Sequence, residues 1–566
     1  MVTRFAIVTL IFFFLSTIFV IQPLSFHVSL PLIGKRKVTI GLVTAPIMAI
    51  AILWASQCLG TTQIRNGIIG TDNIKPYNIL ILFISLAYMA ITLDVTGILQ
   101  AAAFWVSNKG GSSGCKLYFY LYVLLTLISI FVGNNSLILS VTVFLIHHTA
   151  ATGLPPDAWL ISGFAAANTA SMVLIVGNPT NIIICEGLRI NHTAFTAHTV
   201  LPFVACSVAC YLVLMLQYQD EKHIPRKLNN SRQLDPREAL RDPVSGVCGS
   251  ICLIVVIVLS FVLQADVWKI VLPSAGGKFI FDICWDHFRY STGMIPRFDE
   301  SQPDGVAFAD DPIGMAFRCA MPEEMRPTGA LQSTPTLQRD ENASGNEPER
   351  HESSTFPYLN NTLQRAPHPA TPSGATTPGS ILQPQHRLSL KYKELAAHFP
   401  TFFSTLPRLP FALVPFTFSQ FILIEALEHQ GWIDIFSQWL VIASNKEIVP
   451  VVWLVGVFGV ILCNLSGTNI GAAILLTRII RASDFPKSTA RAAAVSLAVA
   501  SNIGAVSFVF SASSVGLFWA AMLKDNEIRI TQWKFATWNM LPLAAMTGAG
   551  LGVHATRYTP NVDPTV

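Results

Sequence analysis

One apolar stretch in the first half of the chain cannot be an uninterrupted membrane helix. It lies in a span at about 158–184, and residues 164–182 read FAAANTASMVLIVGNPTNI. Gly177 and Pro179 stand near its centre, and a proline there removes a backbone donor and clashes with the preceding turn. Backbone groups freed within hydrocarbon must find partners, so a broken helix survives where it lines a polar cavity. The stretch therefore predicts a broken crossing of the kind found at transporter binding sites; a proline-kinked structural helix is the alternative.

The composition indicates an integral membrane protein, which we expect in the plasma membrane. The 566 residues are 52% hydrophobic and 12% charged, with a mean hydropathy of +0.50. Many apolar runs reach the ~20 residues that a crossing needs. The net charge is only +4, and no basic and aromatic pattern argues for nucleic acid. The sequence carries no nucleophile–base set, metal-ligand cluster or nucleotide-binding motif. We therefore expect no enzyme, no cofactor and no metal site.

Further apolar spans precede and follow the broken stretch. They are predicted at residues 5–24, 38–58, 77–93 with a shorter piece to 106, 200–216, 247–263 and, more weakly, 267–288. Residues 5–24 are expected to form a retained helix and not a cleaved signal peptide. The run at 117–147 is interrupted at Gly133-Asn134-Asn135-Ser136, which predicts a re-entrant hairpin of two half-length helices with a polar tip.

The second half repeats this order of features. A span at 411–427 is followed by a short helix, and the run at 449–480 has a polar interruption at 464–469. Residues 492–523 are again a broken crossing, and 536–553 close the chain. Two units of hairpin and broken helix are typical of internally repeated transporters. The distribution of Lys and Arg then gives the two halves opposite orientations.

The predicted architecture is an all-α polytopic membrane protein of two inverted repeats, each with a re-entrant hairpin and a broken transmembrane helix. Residues 290–408 are rich in Pro, Ser, Thr and Gln, a composition that predicts a disordered cytosolic loop. The predicted segments are 1–217 (first repeat), 218–245 (charged cytosolic linker), 246–289 (start of the second repeat), 290–408 (loop) and 409–566 (remainder of the second repeat).

These motifs resemble the arsenite-pump branch of the ion transporter superfamily. Residues 164–182 are similar to that branch's FAADTAS motif and the polar Asn/Pro element after it, and residues 134–136 to its Asn-Asp-Gly. SNIGAVSFVFSASSVGLFW at 501–519 is similar to its second-half stretch. The plan is also similar to citrate-transporter-like symporters. The resemblance implies a transporter fold, and its members move arsenite, antimonite, silicate, carboxylates, or sodium in exchange for protons.

The chain departs from the resemblance where the arsenite branch carries aspartates. Asn135 and Asn168 stand at those positions, so an ionisable group suited to ion coupling is missing there. Asp94 and Glu425 are the candidates for proton or ion coupling. Each could equally be a charge at a helix end that reaches the interface, and we favour that interpretation.

We expect a secondary active transporter of a small inorganic oxyanion or oxyacid, arsenite-like or antimonite-like, or of another anion. The alternatives are a citrate or dicarboxylate symporter, a sodium/proton antiporter of the same superfamily, or a channel or non-transporting sensor. Expected partners are membrane lipid and the substrate; a proton or sodium coupling ion and a homodimer are left open. The substrate-binding candidates are Asn135, Ser136, Asn168, Thr169, Asn178, Asn181, Asn464, Thr468, Asn469, Asn502, Ser511 and Ser513.

Glycosylation tests the predicted topology. If residues 290–400 are cytosolic, the sequons at Asn342 and Asn360 stay bare, whereas the sequon at Asn191 faces outward and accepts a glycan in a glycosylating host. Endoglycosidase shifts of single-sequon variants provide the measurement. A glycan on Asn342 or Asn360 would reverse the orientation.

Overall fold

The computed structural model describes residues 3–30, 34–71, 74–111, 113–228, 235–263, 265–296 and 384–558. In this part of the chain helices dominate, as predicted, because an apolar run can satisfy its backbone groups only within its own helix when lipid surrounds it. The exception is an antiparallel pair of strands, β1 (Leu24–Leu30) and β2 (Gly34–Ile40), with Leu24 opposite Ile40.

This hairpin corrects the predicted span at 38–58. Residues 34–40 belong to β2, and the helix that follows, α2 (Thr44–Ala55), has only 12 residues. At 1.5 Å per residue it is about 18 Å long, which is too short to cross a bilayer.

The first half continues with helices that match most of the other predicted spans. Before the hairpin stands α1 (Arg4–Ile21). After α2 the helices are α3 (Thr61–Ile69), α4 (Pro76–Val95), α5 (Ile98–Gly110), α6 (Gly114–Val132), α7 (Asn134–Thr152), α8 (Asp157–Ala170), α9 (Pro179–Leu188), α10 (His192–Gln217) and the short α11 (Pro236–Ala239).

The second half follows with α12 (Pro243–Leu263) and α13 (Val267–Ser291). Beyond residue 384 the helices are α14 (Pro384–His398), α15 (Pro400–Thr405), α16 (Leu413–His429), α17 (Trp432–Ser444), α18 (Ile448–Leu465), α19 (Asn469–Ala482), α20 (Lys487–Ile503), α21 (Ser514–Asp525) and α22 (Gln532–Thr556).

The same succession of breaks occurs in both halves. A glycine separates α4 from α5 and α16 from α17, and a tip separates α6 from α7 and α18 from α19. Both broken crossings contain a short 3₁₀ turn, Ile175–Gly177 before α9 and Phe510–Ala512 before α21. The order of breaks read from the sequence is therefore present in both halves of the structure, and the two inverted repeats stay a prediction.

The halves interlock through equivalent helices. α9 packs against the second-half helices α19 and α20, and α21 packs against the first-half helix α7. α10 lies along α22, and the Trp519 ring of α21 stacks on Phe164 of α8 with centroids 4.6 Å apart. In each half, the helix that follows the break therefore packs against the hairpin of the other half.

The weak helix predicted at 267–288 is confirmed as one continuous helix, α13, despite Pro273 inside it. Two other expectations about individual segments need correction. The arms of the first hairpin are not half-length, because α6 and α7 each have 19 residues. The segment predicted to be disordered ends in two helices, α14 and α15, while its central residues 297–383 lie outside the described part of the chain.

Seven helical segments within the described ranges are long and apolar enough to cross a membrane, and this finding supports the predicted integral membrane protein. They are Arg4–Ile21, Pro76–Val95, Gly114–Val132, His192–Gln217, Pro243–Leu263, Pro400–His429 and Ile448–Leu465.

The two equivalent helix breaks at Gly97 and Gly431 provide a matched stability test. Both glycines are left-handed, with φ of 81° and 79°, so alanine costs about 1–2 kcal/mol at either position. A Cβ on Gly97 would also lie 1.9 Å from the Ala239 carbonyl oxygen, whereas nothing lies within 4 Å at Gly431. We expect Gly97→Ala to lower the unfolding temperature in detergent clearly more than Gly431→Ala. Equal shifts would contradict the packing of α11 on this break.

Candidate functional site

The side chain of Asn502 joins the two halves at the centre of the molecule. It lies one residue before the end of α20 and is fully buried. Its Oδ1 accepts hydrogen bonds from Ser171 Oγ at 2.7 Å and Asn178 Nδ2 at 2.9 Å. Its Nδ2 donates to Asn181 Oδ1 at 2.9 Å and to the carbonyl of Ala498 at 2.8 Å. All four hydrogen-bonding positions of this amide are therefore used.

Asn178 and Asn181 repair the helix break that the sequence predicts. The extended backbone of Asn178 begins α9, and its Oδ1 caps the helix by accepting from the Thr180 amide at 3.1 Å. Asn181 Nδ2 donates to the carbonyls of Ser171 and Leu174, both at 2.8 Å. These carbonyls lie in or beside the interruption between α8 and α9, so the amide satisfies groups that would otherwise be costly in a buried setting. We call Asn178, Asn181 and Asn502 the central amide cluster.

The tips of the two hairpins meet the broken helices in the same way. Asn134 Nδ2 donates to Asn168 Oδ1 at 2.9 Å, and Asn469 Nδ2 donates to the carbonyl of Ser501 at 3.2 Å. Asn168 and Ser501 each lie two residues before the end of their helix, α8 or α20. The tips thus occupy equivalent places in the duplicated fold. The side chains of Asn135 and Ser136 lie outside the described part of the structure, although their backbone belongs to α7.

Other predicted site residues are engaged locally. Asn464 contacts Ser507 Oγ through Nδ2, and its Oδ1 accepts from the Phe508 amide at 3.2 Å. Thr468 and Ser513 are helix caps, of α19 and α21 respectively. Thr169 Oγ1 donates to the sulfur of Met546 on α22 at 3.2 Å. These four side chains therefore hold the breaks and the packing around the centre, and do not contact the central amide cluster.

A small cavity of about 30 Å³ lies beside the first hairpin tip. Gly133 and Asn134 of the tip and Val176, Gly177 and Pro179 of the break form one side of it. The other side is α4, through Leu82, Phe83, Leu86, Ala87 and Ala90. Asn134 is the only side chain in its lining with a hydrogen-bonding group. The cavity is therefore apolar, with polarity supplied by backbone groups at the break and by one amide.

The second hairpin tip has a polar side chain where the first has an apolar one. Gln420 of α16 and Leu86 of α4 each stand eleven residues before the glycine that ends their helix, Gly431 or Gly97. Gln420 is fully buried, and neither its Nε2 nor its Oε1 has a hydrogen-bond partner. A Cβ on Gly471, in the first turn of α19, would lie 3.3 Å from Gln420 Oε1. An unpaired buried amide thus faces the start of this hairpin arm.

A second unpaired group lies in the neighbouring break. Ser511, in the 3₁₀ turn before α21, is 1% exposed, and its hydroxyl has no partner. The next residue, Ala512, packs with Ala472 and Cys463 at the same hairpin. Ser511 was among the sequence-based candidates, whereas Gln420 was missed. An amide in the middle of the otherwise apolar run at 411–427 was the signal that could have revealed it.

The two coupling candidates are held in ion pairs at the ends of α4 and α16. Asp94 accepts from Arg408 at 3.2 Å and from Gln100 Nε2 at 2.9 Å, and Gln100 also donates to Ser140 on α7. Glu425 pairs with Arg478 of α19 at 2.8 Å. Both carboxylates therefore link a hairpin arm to the helix beside it, as charges near helix ends do.

The two hydrogen bonds of the Asn168 side chain suit an amide at this position. Asn168 Nδ2 donates to the Phe164 carbonyl at 2.9 Å, while Oδ1 accepts from Asn134. A carboxylate there would place two acceptors against each other at the Phe164 carbonyl. Within the described ranges, no three His, Cys, Asp or Glu side chains are grouped as a metal site requires.

Comparisons with known proteins find similarity to membrane transporters. Residues 4–284 match the profile of the family described as "Citrate transporter". The "Arsenical pump membrane protein" of Escherichia coli is 25% identical over 268 residues, which are 46% of this chain and 62% of that protein. The protein of the same description from Yersinia enterocolitica is 27% identical over 257 residues, covering 44% and 59%. A crystal structure of the Alcanivorax borkumensis YdaH transporter aligns over 98% of both chains at 12% identity with a TM-score of 0.43.

These matches point to transporter families and not to a class of enzymes. The matched region spans less than two thirds of the length of the arsenical pump proteins. The resemblance drawn from the motifs is confirmed: this integral membrane protein is similar to citrate-transporter-like and arsenical-pump permeases.

Replacing the central amide tests whether it holds the halves together. Asn502→Ala leaves the Asn178 donor and the Asn181 acceptor without partners, at about 1–3 kcal/mol for each unsatisfied group. We expect a large fall in the unfolding temperature in detergent. Asn526→Ala is the matched control, because that exposed amide bonds only the Met522 carbonyl of its own helix. Equal stability of the two variants would remove Asn502 from this role.

Proposed function

We propose that this protein is a secondary transporter that moves a small neutral oxyacid or oxyanion of the arsenite or antimonite type. The observation that carries the proposal is the pair of unpartnered, buried groups, Gln420 and Ser511, at the second hairpin and break. A buried amide without a partner costs about 1–3 kcal/mol, which a bound hydroxyl group would offset. Such a ligand would both donate to Oε1 and accept from Nε2.

The absence of basic residues from the breaks supports a weakly charged substrate. Neither interruption, 171–178 or 504–513, contains Lys or Arg, and none lines the cavity at the first tip. A citrate or dicarboxylate symporter is the second candidate, favoured by the description of the matching family. Such a substrate would rely on the N-termini of α9 and α21, since helix N-termini can bind anions without a basic side chain.

The central amide cluster would hold the two halves together in this conformation, and its hydrogen bonds would break when substrate binds between the halves. Its members bond each other in this conformation, so the predicted ligands among them, Asn178, Asn181 and Asn502, become available only when the halves separate. Exchanging protein–protein hydrogen bonds for protein–substrate ones changes the free energy little. A site of this kind would bind without trapping its substrate, as a carrier requires.

Purified protein in proteoliposomes tests the function directly. Arsenite, antimonite, silicate, phosphate, sulfate, citrate and sodium would be offered with and without internal substrate. We expect arsenite or antimonite to enter faster when the same substrate is trapped inside, because a carrier can return to its outward-facing state with internal substrate bound. Uptake without this counterflow would indicate a channel, uptake of citrate alone would favour the second candidate, and sodium flux alone would favour an antiporter. No flux of any of them would indicate a sensor.

The Gln420 amide has a matched pair of variants. Gln420→Leu installs the residue found at the equivalent position of the first half and removes the unpaired amide. Losing about 0.5–1.5 kcal/mol of hydrogen bonding to the substrate should raise the substrate concentration for half-maximal transport by roughly threefold to tenfold. Ser419→Ala is the control, because that hydroxyl bonds only the Pro415 carbonyl of its own helix. Unchanged transport in Gln420→Leu would exclude this side chain from the site.

A further inference from the structure

One face of α13 carries a charged row that the site described above does not use. Lys278, Asp282, Asp286 and Arg289 follow each other at spacings of four, four and three residues, which places them on one side of the helix. This side packs against α4, α12 and α15. Lys278, Asp282 and Asp286 are at most 2% exposed. Buried ionisable groups in a membrane protein are expensive and usually functional.

Lys278 and Asp282 form the innermost pair. The ammonium group contacts Asp282 Oδ1 and donates to Ser245 Oγ of α12 at 3.1 Å. It also lies 5.5 Å from the centre of the Phe281 ring. Burying such a pair is at best weakly stabilising compared with apolar residues of similar size. Stability alone therefore gives little reason to keep charges here.

Tyr88 connects this pair to the wall of the cavity at the first hairpin tip. Its hydroxyl donates to Asp282 Oδ2 at 2.9 Å. Tyr88 lies on α4 directly after Ala87, and Leu86, Ala87 and Ala90 of the same helix line the cavity at the first hairpin tip. One side of α4 thus faces the cavity while another is hydrogen-bonded to the buried charges.

A second connection leads from the pair towards the end of α12. Ser245 Oγ donates to Asp282 Oδ1 at 3.2 Å, and the Ser245 amide donates to Asp242 Oδ1 at 3.0 Å. Asp242 is bonded by Trp285 at 2.9 Å and by Arg289, whose side chain is 16% exposed. Hydrogen-bonding groups therefore run from a partly exposed ion pair to Asp282.

The carboxylates outnumber the cations in this group. Asp242, Asp282 and Asp286 oppose Lys278 and Arg289, so the fully ionised group carries one net negative charge. Asp286 is the least compensated member. It accepts from the Thr401 amide at 2.8 Å and the Thr401 hydroxyl at 3.0 Å, while Arg289 is 4.0 Å away. Because burial disfavours net charge, binding one proton brings the group to neutrality.

The remaining titratable groups around α13 do not change this balance. Cys248 and Cys252 of α12 are the nearest to the pair, and both are neutral as thiols. Asp94 of α4 has its own partner in Arg408. His398 of α14 bonds His287 on the outer part of α13, and α15 contributes the Thr401 groups.

We propose that the charged group on α13 binds one exchangeable proton at Asp286, and that Tyr88 links its occupancy to the cavity at the first hairpin tip. The proposal rests on the proposed transport function, and it assigns ion coupling to residues outside both broken crossings. Asp282 lies one helical turn from Asp286, so the carboxylate that Tyr88 contacts is next to the proton site.

Three variants separate the parts of this proposal. Asp286→Asn keeps both ion pairs and gives the group no net charge, as the bound proton would. Tyr88→Phe removes only the hydroxyl that joins Asp282 to α4. Asp266→Asn is the matched control, because that carboxylate stands just before the same helix, is 54% exposed and pairs with exposed Lys269.

The experiment measures arsenite accumulation in proteoliposomes driven by a pH difference, with the membrane potential clamped by potassium and valinomycin. For one coupled proton, a difference of one pH unit supports up to about tenfold accumulation in the wild type and in Asp266→Asn. Asp286→Asn and Tyr88→Phe are expected to equilibrate arsenite without accumulating it. Wild-type accumulation in Asp286→Asn would overturn the proton site, and wild-type accumulation in Tyr88→Phe would overturn its link to the cavity.

A substrate-free measurement keeps the proton site testable by itself. Potentiometric titration of the purified proteins between pH 4 and pH 9 should show about one proton fewer bound by Asp286→Asn than by the wild type, and no loss in Tyr88→Phe. Coincident curves for wild type and Asp286→Asn would overturn the proposal. Arsenite exchange that ignores the pH gradient in the wild type would overturn coupling and leave the transport function standing. A wild type that moves no substrate but shows the titration difference would overturn the function alone.

Discussion

The structure depends on satisfying the backbone groups that two helix breaks set free. A chain that crosses lipid cannot leave such groups to water, so an interruption requires polar side chains at fixed places. Asn181 donates hydrogen bonds to the carbonyls of Ser171 and Leu174. Asn502, from the opposite half, is hydrogen-bonded to both Asn178 and Asn181. The repair of one break is thus completed by a residue beside the other. The two halves are held together by the same amides that permit each of them to be broken.

This arrangement divides the polar residues of the core into two kinds. Most of the amides and hydroxyls at the breaks bond each other or cap helices, as Thr468 and Ser513 do. Gln420 and Ser511, at the second hairpin and the break beside it, are among the buried side chains whose hydrogen-bonding capacity is left open. Because an unsatisfied buried group is unfavourable, the places where a fold tolerates one are the places where a ligand would be most stabilised. The asymmetry between Leu86 and Gln420 therefore suggests that the duplicated halves have taken different parts in binding.

The ion pairs around the core also satisfy buried polar groups by pairing them. Asp94 with Arg408 and Glu425 with Arg478 sit near the ends of equivalent helices and tie hairpin arms to their surroundings. The row on α13 differs, because Lys278, Asp282 and Asp286 are all at most 2% exposed and the row is bonded to a helix that lines the cavity at the first hairpin tip. A carboxylate that is buried so completely and has no close cation is sensitive to protons.

The sequence by itself determined most of the apolar crossings, the two breaks and the order in which breaks recur, because each depends on local features: Gly177 and Pro179 interrupt a helix wherever they stand, and an apolar run of ~20 residues needs a membrane. It could not distinguish side chains that bond the protein from side chains left for a ligand. Asn502 and Ser511 were equivalent candidates in the sequence, and only the tertiary structure gives the first four partners and the second none. Gln420, the strand hairpin at 24–40 and the charged face of α13 likewise depend on contacts between residues far apart in the chain. Hydrogen-bond satisfaction is a property of three-dimensional neighbours, and no residue type or spacing specifies it alone.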